Sequence, residues 1–410
     1  MKVSRRSLLK ALAAVPLLNA CAAPGTPARV VTLTAGVSRQ RLISDAYPDT
    51  EVWTYDRTVP GPLLRIKQGE TLQVAVDNGL PSETTVHWHG MRVPNAMDGV
   101  PHVTQPPIPP DGRFVYEFQV PDAGTYWYHP HVRSHEQVAR GLYGVLIVDE
   151  PEPVRVDREA VWVLADWRLS PDAALRDDFE NLFDLTHAGR IGNTVTVNGR
   201  FTAKTGVFKV RSGERVRLRL VNAAVARVFR LNFAEHEPVI IALDGQPIAP
   251  HTAPDGIVLG PGMRADLVLD CMRAPGARAD VTDDFYPRMA GRLMQIVYDD
   301  GPAIRARAMS AAVALAPNRL PDPDLAHAER HEIVFQGGAM GTIRDALYAG
   351  ERTSLARLVR EHHLAWTVNG TAVKGHVHAP LLTLRRGRSY VLGLRNDTAW
   401  HHPMHLHGHV

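Results

Sequence analysis

Cysteine is nearly missing: Cys21 and Cys271 are the only two in 410 residues. That count excludes a disulfide framework and a thiolate-rich zinc or iron–sulfur site. Positive charge is not concentrated either; the formal net charge is +3 with no sustained basic run, so a nucleic-acid surface has no support. Long apolar runs are lacking, since the stretch ending at Ala20 is short and carries Pro16, which excludes a spanning helix there. What is present is an ordinary folded balance, 45% apolar and 22% charged, which excludes an intrinsically disordered chain. The length favours two or three domains. Gly (32) and Pro (31) are scattered throughout, favouring short strands joined by turns over long helices. Histidine stands out: 11 of 20 fall in the windows 87–135 and 401–409, which points towards metal.

The first residues read as an address. Ser4-Arg5-Arg6-Ser7-Leu8-Leu9-Lys10 followed by a small apolar stretch resembles a bacterial twin-arginine export signal. Leu18-Asn19-Ala20-Cys21 reads equally as a lipoprotein cleavage box, with Cys21 as a lipid anchor, or as an ordinary small-residue cleavage site. Removing residues 1–20 takes away Lys2, Arg5, Arg6 and Lys10, so the charge becomes −1. The expectation is a periplasmic or exported protein handled by the twin-arginine machinery.

One unit then recurs three times. Residues 63–90 read LLRIKQGETLQVAVDNGLPSETTVHWHG, residues 207–234 VFKVRSGERVRLRLVNAAVARVFRLNFA, and residues 381–408 LLTLRRGRSYVLGLRNDTAWHHPMHLHG. Gly69, Gly213 and Gly387 coincide, and Asn78, Asn222 and Asn396 each follow nine residues later. Between them apolar and polar residues alternate (Leu72, Val74, Val76; Val216, Leu218, Leu220; Tyr390, Leu392, Leu394), the period of a half-buried strand. Lys/Arg-x-Gly before each strand is a turn into it. These repeats predict an all-β chain of tandem β-sandwich units at 28–150, 155–300 and 329–410, after an export segment at 1–27. Within the last unit, apolar residues of 342–363 at helical spacing (Ile343, Leu347, Leu355, Leu358, Val359) predict one helix covering the sandwich.

The shared register also places the histidines. Nine residues beyond the Asn stand His87 and His405; two further on come His89 and His407, each followed by Gly. The second copy has Leu231-Asn232-Phe233 there and no ligand. In an extended strand, residues i and i+2 share a face about 6–7 Å apart, a spacing better suited to two neighbouring ions than to one. His129-Pro130-His131 adds a pair after Tyr126-Trp127-Tyr128, and His402 lies three residues before His405. A single His-x-His pair is weak evidence, but matched pairs at homologous positions are strong.

His87-Trp88-His89-Gly90, Tyr128-His129-Pro130-His131 and His402-Pro403-Met404-His405-Leu406-His407-Gly408 resemble three of the four copper motifs of three-domain, laccase-like bacterial multicopper oxidases. Asp98-Gly99-Val100-Pro101 and Gly141-Leu142-Tyr143-Gly144 are also similar to family stretches. The resemblance implies three cupredoxin-like Greek-key sandwiches, with a trinuclear copper cluster between the first and third. By it, His87 and His405 match type 2 ligands, His89, His129, His131 and His407 match four of six type 3 ligands, and His402 matches a type 1 ligand. Asp98 resembles the acid that assists proton delivery to dioxygen; the plain alternative is a turn former before Gly99. Imidazole suits copper.

The fourth motif, His-Cys-His, is absent. Cys271, between Asp270 and Met272 in the second unit, is not a substitute and reads as an inert, partly buried thiol. The resemblance therefore implies a third unit that is incomplete, a chain cut from a longer one, and no type 1 site within these residues. The leading expectation is an oxidoreductase coupling one-electron oxidation of a phenol-like or metal-ion substrate to four-electron reduction of dioxygen, the fragment itself being inactive. The alternative is a non-catalytic copper-binding or scaffold protein of the same fold. A cupin reading is poor, because no Glu follows His89 within Gly90-Met91-Arg92-Val93. The 10 Met residues form no Met-rich insert.

Overall fold

The three repeated strands form as their alternation dictates, and each joins its unit in the same way. The computed structural model describes residues 29–375 and 380–409; the twin-arginine segment and Cys21 lie outside them. In the first unit the strands are β1 (Arg29–Gln40), β2 (Thr50–Tyr55), β3 (Gly61–Lys67), β4 (Thr71–Gly79), β5 (His87–His89), β6 (Arg113–Gln119), β7 (Gly124–His129) and β8 (Gly144–Asp149). They make two four-stranded sheets, ordered β2-β1-β4-β6 and β3-β8-β7-β5. Leu72, Val74 and Val76 of β4 point into the core with Trp88, Tyr116 and Tyr128.

The repeat strand β4 runs parallel to β1, with Asn78 beside Ala35. Glu214–Asn222 runs parallel to Arg158–Trp167, with Asn222 beside Leu164, and Tyr390–Asn396 runs parallel to Glu329–Gly337, with Asn396 beside Phe335. The conserved spacing has a physical cause at both ends. Gly69, Gly213 and Gly387 all have positive φ, near 80°, where a side chain is disfavoured. Each Asn closes its strand with an Asx turn, accepting the N–H two residues on (Leu80, Ala224, Thr398). Each also donates to a carbonyl of the following loop: Ser82, Arg227 or Trp400. That loop delivers the histidines.

The second unit has a seven-stranded and a five-stranded sheet packed over a core that includes Trp162, Leu218, Phe229 and Leu267. Its repeat strand departs from the half-buried expectation, for all nine residues of Glu214–Asn222 are buried. The outward face lies against the first unit rather than water. Arg217 and Arg219 pair there with Asp266, Glu150 and Glu159, and Thr125 of β7 joins the network. Beside it Trp127, Tyr143, Val145 and Ile147 pack on Val163, Ala165 and Trp167, so β7 and β8 are covered on both faces.

Among its described residues the third unit has a three-stranded sheet and a two-stranded hairpin. Leu381, Leu384, Leu394, Met404 and Leu406 are exposed there. The helix expected over 342–363 is corrected: Asp345–Tyr348 and Glu351–Ser354 form the hairpin, and only Leu355–His362 is helical. Ala349 and Gly350 both adopt positive φ, which turns the chain back as a tight hairpin requires and interrupts the helical period. The unit docks on the second through Trp366 Nε1, which donates to the Leu185 carbonyl, and through Ala339 N, which donates to Thr186 O.

Candidate metal centre

β5 places His87 and His89 on one face, with ring centroids 5.6 Å apart, and its antiparallel register with β7 sets His87 opposite His129 and His89 opposite Trp127. The loop after Asn396 carries His405 and His407 onto the same spot from the third unit. His407 stacks on His87 with centroids 4.0 Å apart, and His405 stacks on His89 at 3.7 Å. His131 lies 5.7 Å from His87 and 5.0 Å from His407, centroid to centroid. Six of the seven histidines singled out in the sequence thus converge. His402 does not; its Nε2 contacts Thr398 Oγ1 at 3.0 Å, and its ring faces Trp366 and Phe335.

The donor nitrogens group around His87. His87, His405 and His407 form one set and His87, His89 and His129 another, with the ligand atoms of each set within 4.8 Å of one another. His87 Nε2 lies 3.4 Å from His405 Nε2, and His89 Nδ1 lies 3.3 Å from His129 Nε2. Three of the remaining ring nitrogens are occupied elsewhere. His87 Nδ1 donates to the Asp98 carbonyl at 2.7 Å, and His129 Nδ1 to the Pro130 carbonyl at 2.9 Å. His407 Nδ1 donates to Asp98 Oδ2 at 2.7 Å. Such bonds fix the tautomer and leave the inward nitrogen's lone pair for a cation.

Charge follows from burial. Desolvation, followed by the neighbouring His87 and His407 rings, brings His131 down to about 4 and His405 to about 3. Burial holds His89 and His129 well below the ordinary imidazole range; for His89 the Arg264 guanidinium adds to it. These four rings are therefore neutral at pH 7, the form that binds metal. Burial alone would raise the Asp98 carboxyl, but the hydrogen bonds from His407 and His87 outweigh it and hold the group well below the usual carboxylate range. Asp98 is thus more than a turn former. The glycine after it explains the approach: Gly99 has a φ of 79°, and a Cβ there would sit 1.9 Å from the Val86 carbonyl oxygen.

Two neighbours escaped the sequence reading. The Trp127 ring stacks on His129 at 4.1 Å. Arg264, from the second unit, reaches in beside Gly90 and His89. Nothing in a chain with 46 basic residues marked Arg264 as different. Cys271 is fully buried in the second unit's core, where desolvation pushes its thiol up to about 12, so the expected partial exposure is corrected while the inertness stands.

Two family profiles, both described as multicopper oxidase, match residues 37–153 and 158–280. Multicopper oxidase MmcO of Mycobacterium tuberculosis is 31% identical over 92% of this chain and 76% of its own length. Copper resistance protein A of Escherichia coli is 34% identical over 48% of this chain, and the match spans 40% of that relative. The crystal structure of a multi-copper oxidase from Pseudomonas thermotolerans superposes with a TM-score of 0.78 at 32% identity, covering 94% of this chain and 85% of the other. The fold is therefore cupredoxin-like. With half or more of the chain matched by those profiles, and a relative above 30% identity spanning nearly all of it, the chain belongs to the multicopper oxidase family, whose members are copper oxidoreductases using dioxygen.

Proposed function

We propose that His87, His89, His129, His131, His405 and His407 hold a trinuclear copper cluster at which dioxygen takes four electrons and four protons to become two waters. The observation that carries this reading is His87, shared by two sets of convergent imidazoles contributed by two separate units. The donor chemistry fits copper: imidazoles, those of His89, His129, His131 and His405 kept neutral by burial, no thiolate, and the outer nitrogens of His87, His129 and His407 tied to carbonyls or to Asp98. Bound copper would supply the one-electron transfers that protein side chains lack. The chain's own residues do the rest. His87 and His407 are held in one tautomer by Asp98, through its carbonyl and carboxylate respectively. Asp98 keeps an ionised carboxylate at the His407 Nδ1 proton, a fixed acceptor on the rim of the cluster.

His402 is proposed as a type 1 ligand, separated from the six as an electron-accepting site would be. Its thiolate partner is not Cys271. These 410 residues are accordingly proposed to lack a complete type 1 site, and the reducing substrate, phenol-like or a metal ion, is proposed only by class. That gap favours a second reading for these residues alone, copper binding without turnover. Export by the twin-arginine route is proposed from Arg5 and Arg6, with lipid anchoring at Cys21 as a variant of it.

The test is copper loading followed by dioxygen uptake with a phenol. Copper bound at the six histidines, no intense blue band and no uptake are expected of the 410 residues. Turnover of the phenol by this form would overturn the ligand assignment.

A further inference from the structure

The third copy of the repeat departs from the other two at its turn. In those two, the residue after the glycine is a glutamate whose carboxylate accepts the backbone N–H three residues back. Glu70 Oε2 accepts from Lys67 N at 3.1 Å, and Glu214 Oε2 from Arg211 N at 2.9 Å. The third copy has Arg388 at that position. Its Tyr390 hydroxyl takes over as acceptor, receiving Arg385 N at 2.7 Å. Tyr390 stands where the other copies have the buried Leu72 and Val216. The turn thus keeps a closing hydrogen bond, and Gly387 keeps a positive φ of 77°, with a cation in place of the carboxylate. Lys67-Gln68-Gly69-Glu70 and Arg211-Ser212-Gly213-Glu214 are each neutral overall, whereas Arg385-Arg386-Gly387-Arg388 carries three positive charges.

All three arginines are exposed, and among the described residues their guanidinium groups have no ion-pair partner. Two acidic residues adjoin the turn through their backbone, Asp324 N on Ser389 Oγ and Glu329 N on Ser389 O. Their carboxylates engage His327 and His331 instead, at 2.8 and 3.1 Å. Leu381 and Leu384, just before the turn, are 52% and 39% exposed. Unpaired guanidinium groups beside exposed leucines suit an anionic bilayer surface, where the cations meet phosphate oxygens and the leucines reach the acyl boundary. We propose that Arg385, Arg386 and Arg388, with Leu381 and Leu384, form a docking surface for an anionic phospholipid membrane. The turn and the loop that delivers His405 and His407 lie at opposite ends of Tyr390–Asn396, about 25–30 Å apart along extended chain. Membrane contact at the turn therefore leaves the histidine end free, and it does not depend on the copper cluster proposed above.

The test is cosedimentation of the 410-residue chain with phosphatidylcholine vesicles, with and without phosphatidylglycerol. Arg5→Gln and Arg6→Gln, carried by every protein in the series, limit the export segment's own attraction to the vesicles. Each arginine near an anionic surface is worth about a fivefold change in partitioning. Arg388→Gln should therefore bind phosphatidylglycerol vesicles about fivefold more weakly and Arg388→Glu about 25-fold, while Arg388→Lys should stay within about twofold. Raised salt should weaken binding of the parent protein, and vesicles of phosphatidylcholine alone should not retain it. Arg388→Glu places at the turn the side chain that closes the other two copies, so its lost binding is not lost fold; Arg386→Gln, at an exposed position, should repeat the fivefold loss. Equal partitioning of the parent and Arg388→Glu overturns the proposal. Equal binding to both kinds of vesicle also overturns it, by assigning the contact to exposed apolar residues. Inorganic polyphosphate bound with the same charge-ordered series, without vesicle binding, would replace the membrane by a soluble polyanion.

Discussion

Asp98 and His407, 309 positions apart, meet in a hydrogen bond of 2.7 Å from the imidazole Nδ1 to the carboxylate Oδ2. The backbone carbonyl of the same Asp98 receives His87 Nδ1 at the same distance. One residue in the first unit thus sets the tautomer of a histidine from its own unit and of another from the third. The contact ties the two halves of the centre together.

Asp98→Asn keeps the backbone contact to His87 but removes the anionic acceptor for His407. Copper affinity, or the rate of dioxygen reduction in a turnover-competent form, should fall about 10- to 100-fold, the usual cost of losing such an outer partner. Copper content by mass spectrometry and dioxygen uptake would read it. A variant indistinguishable from wild type in both would remove Asp98 from the account.

His87→Ala should be the most damaging single histidine change, because His87 belongs to both sets of convergent nitrogens. The expected result is loss of the type 2 cupric signal and of copper stoichiometry, with the fold retained by circular dichroism. In a turnover-competent form carrying a type 1 site, the blue band should persist, since His402 packs on Thr398, Phe335 and Trp366 rather than on His87. Equal stoichiometry in His87→Ala and wild type would contradict the shared role.

Asp266→Ala leaves Arg217 and Arg219, both fully buried, without their central carboxylate. Breaking a buried charge network from one side typically costs about 3–5 kcal/mol. Urea unfolding should show a loss of that order, with weakened docking of the first unit on the second. A loss below about 1 kcal/mol would mean that Glu150 and Glu159 suffice.

Asp166 supplies the pH dependence. Burial raises its carboxyl to about 6, opposed chiefly by the Gly192 N–H, and its Oδ1 is a buried oxygen without a partner among the described residues. The fold therefore holds a proton that the unfolded chain releases near the ordinary value of 3.8. Stability is lost as pH rises from about 4 to about 6, by on the order of 2–3 kcal/mol. Asp166→Asn should flatten that part of the profile. Parallel wild-type and variant profiles between pH 4 and 6.5 would contradict it.

The histidine register and the triple repeat were legible because they rest on local chemistry. Gly69, Gly213 and Gly387 need positive φ, Asn78, Asn222 and Asn396 make the same turn, and a fixed strand length then sets where His87 and His405 fall. Arg217 and Arg219 were not legible as buried, because polar alternation reads the same whether the outer face meets water or another unit. Arg264 was hidden for a related reason: its site is made by three carbonyls and two glycines brought together only by tertiary packing. The hairpin at 345–354 was missed where Ala349 and Gly350 overrode a helical apolar period. Asp98 reads in the sequence either as a turn former or as an acid, because its hydrogen bond with His407 joins residues 309 positions apart.

The most direct test of the central claim is anomalous diffraction at the copper edge from crystals of the copper-loaded protein. The account predicts copper density among the inward nitrogens of His87, His89, His129, His405 and His407, with His131 at its edge and His402 apart from it. Copper density elsewhere, with none between His87 and His405 or between His89 and His129, would contradict it.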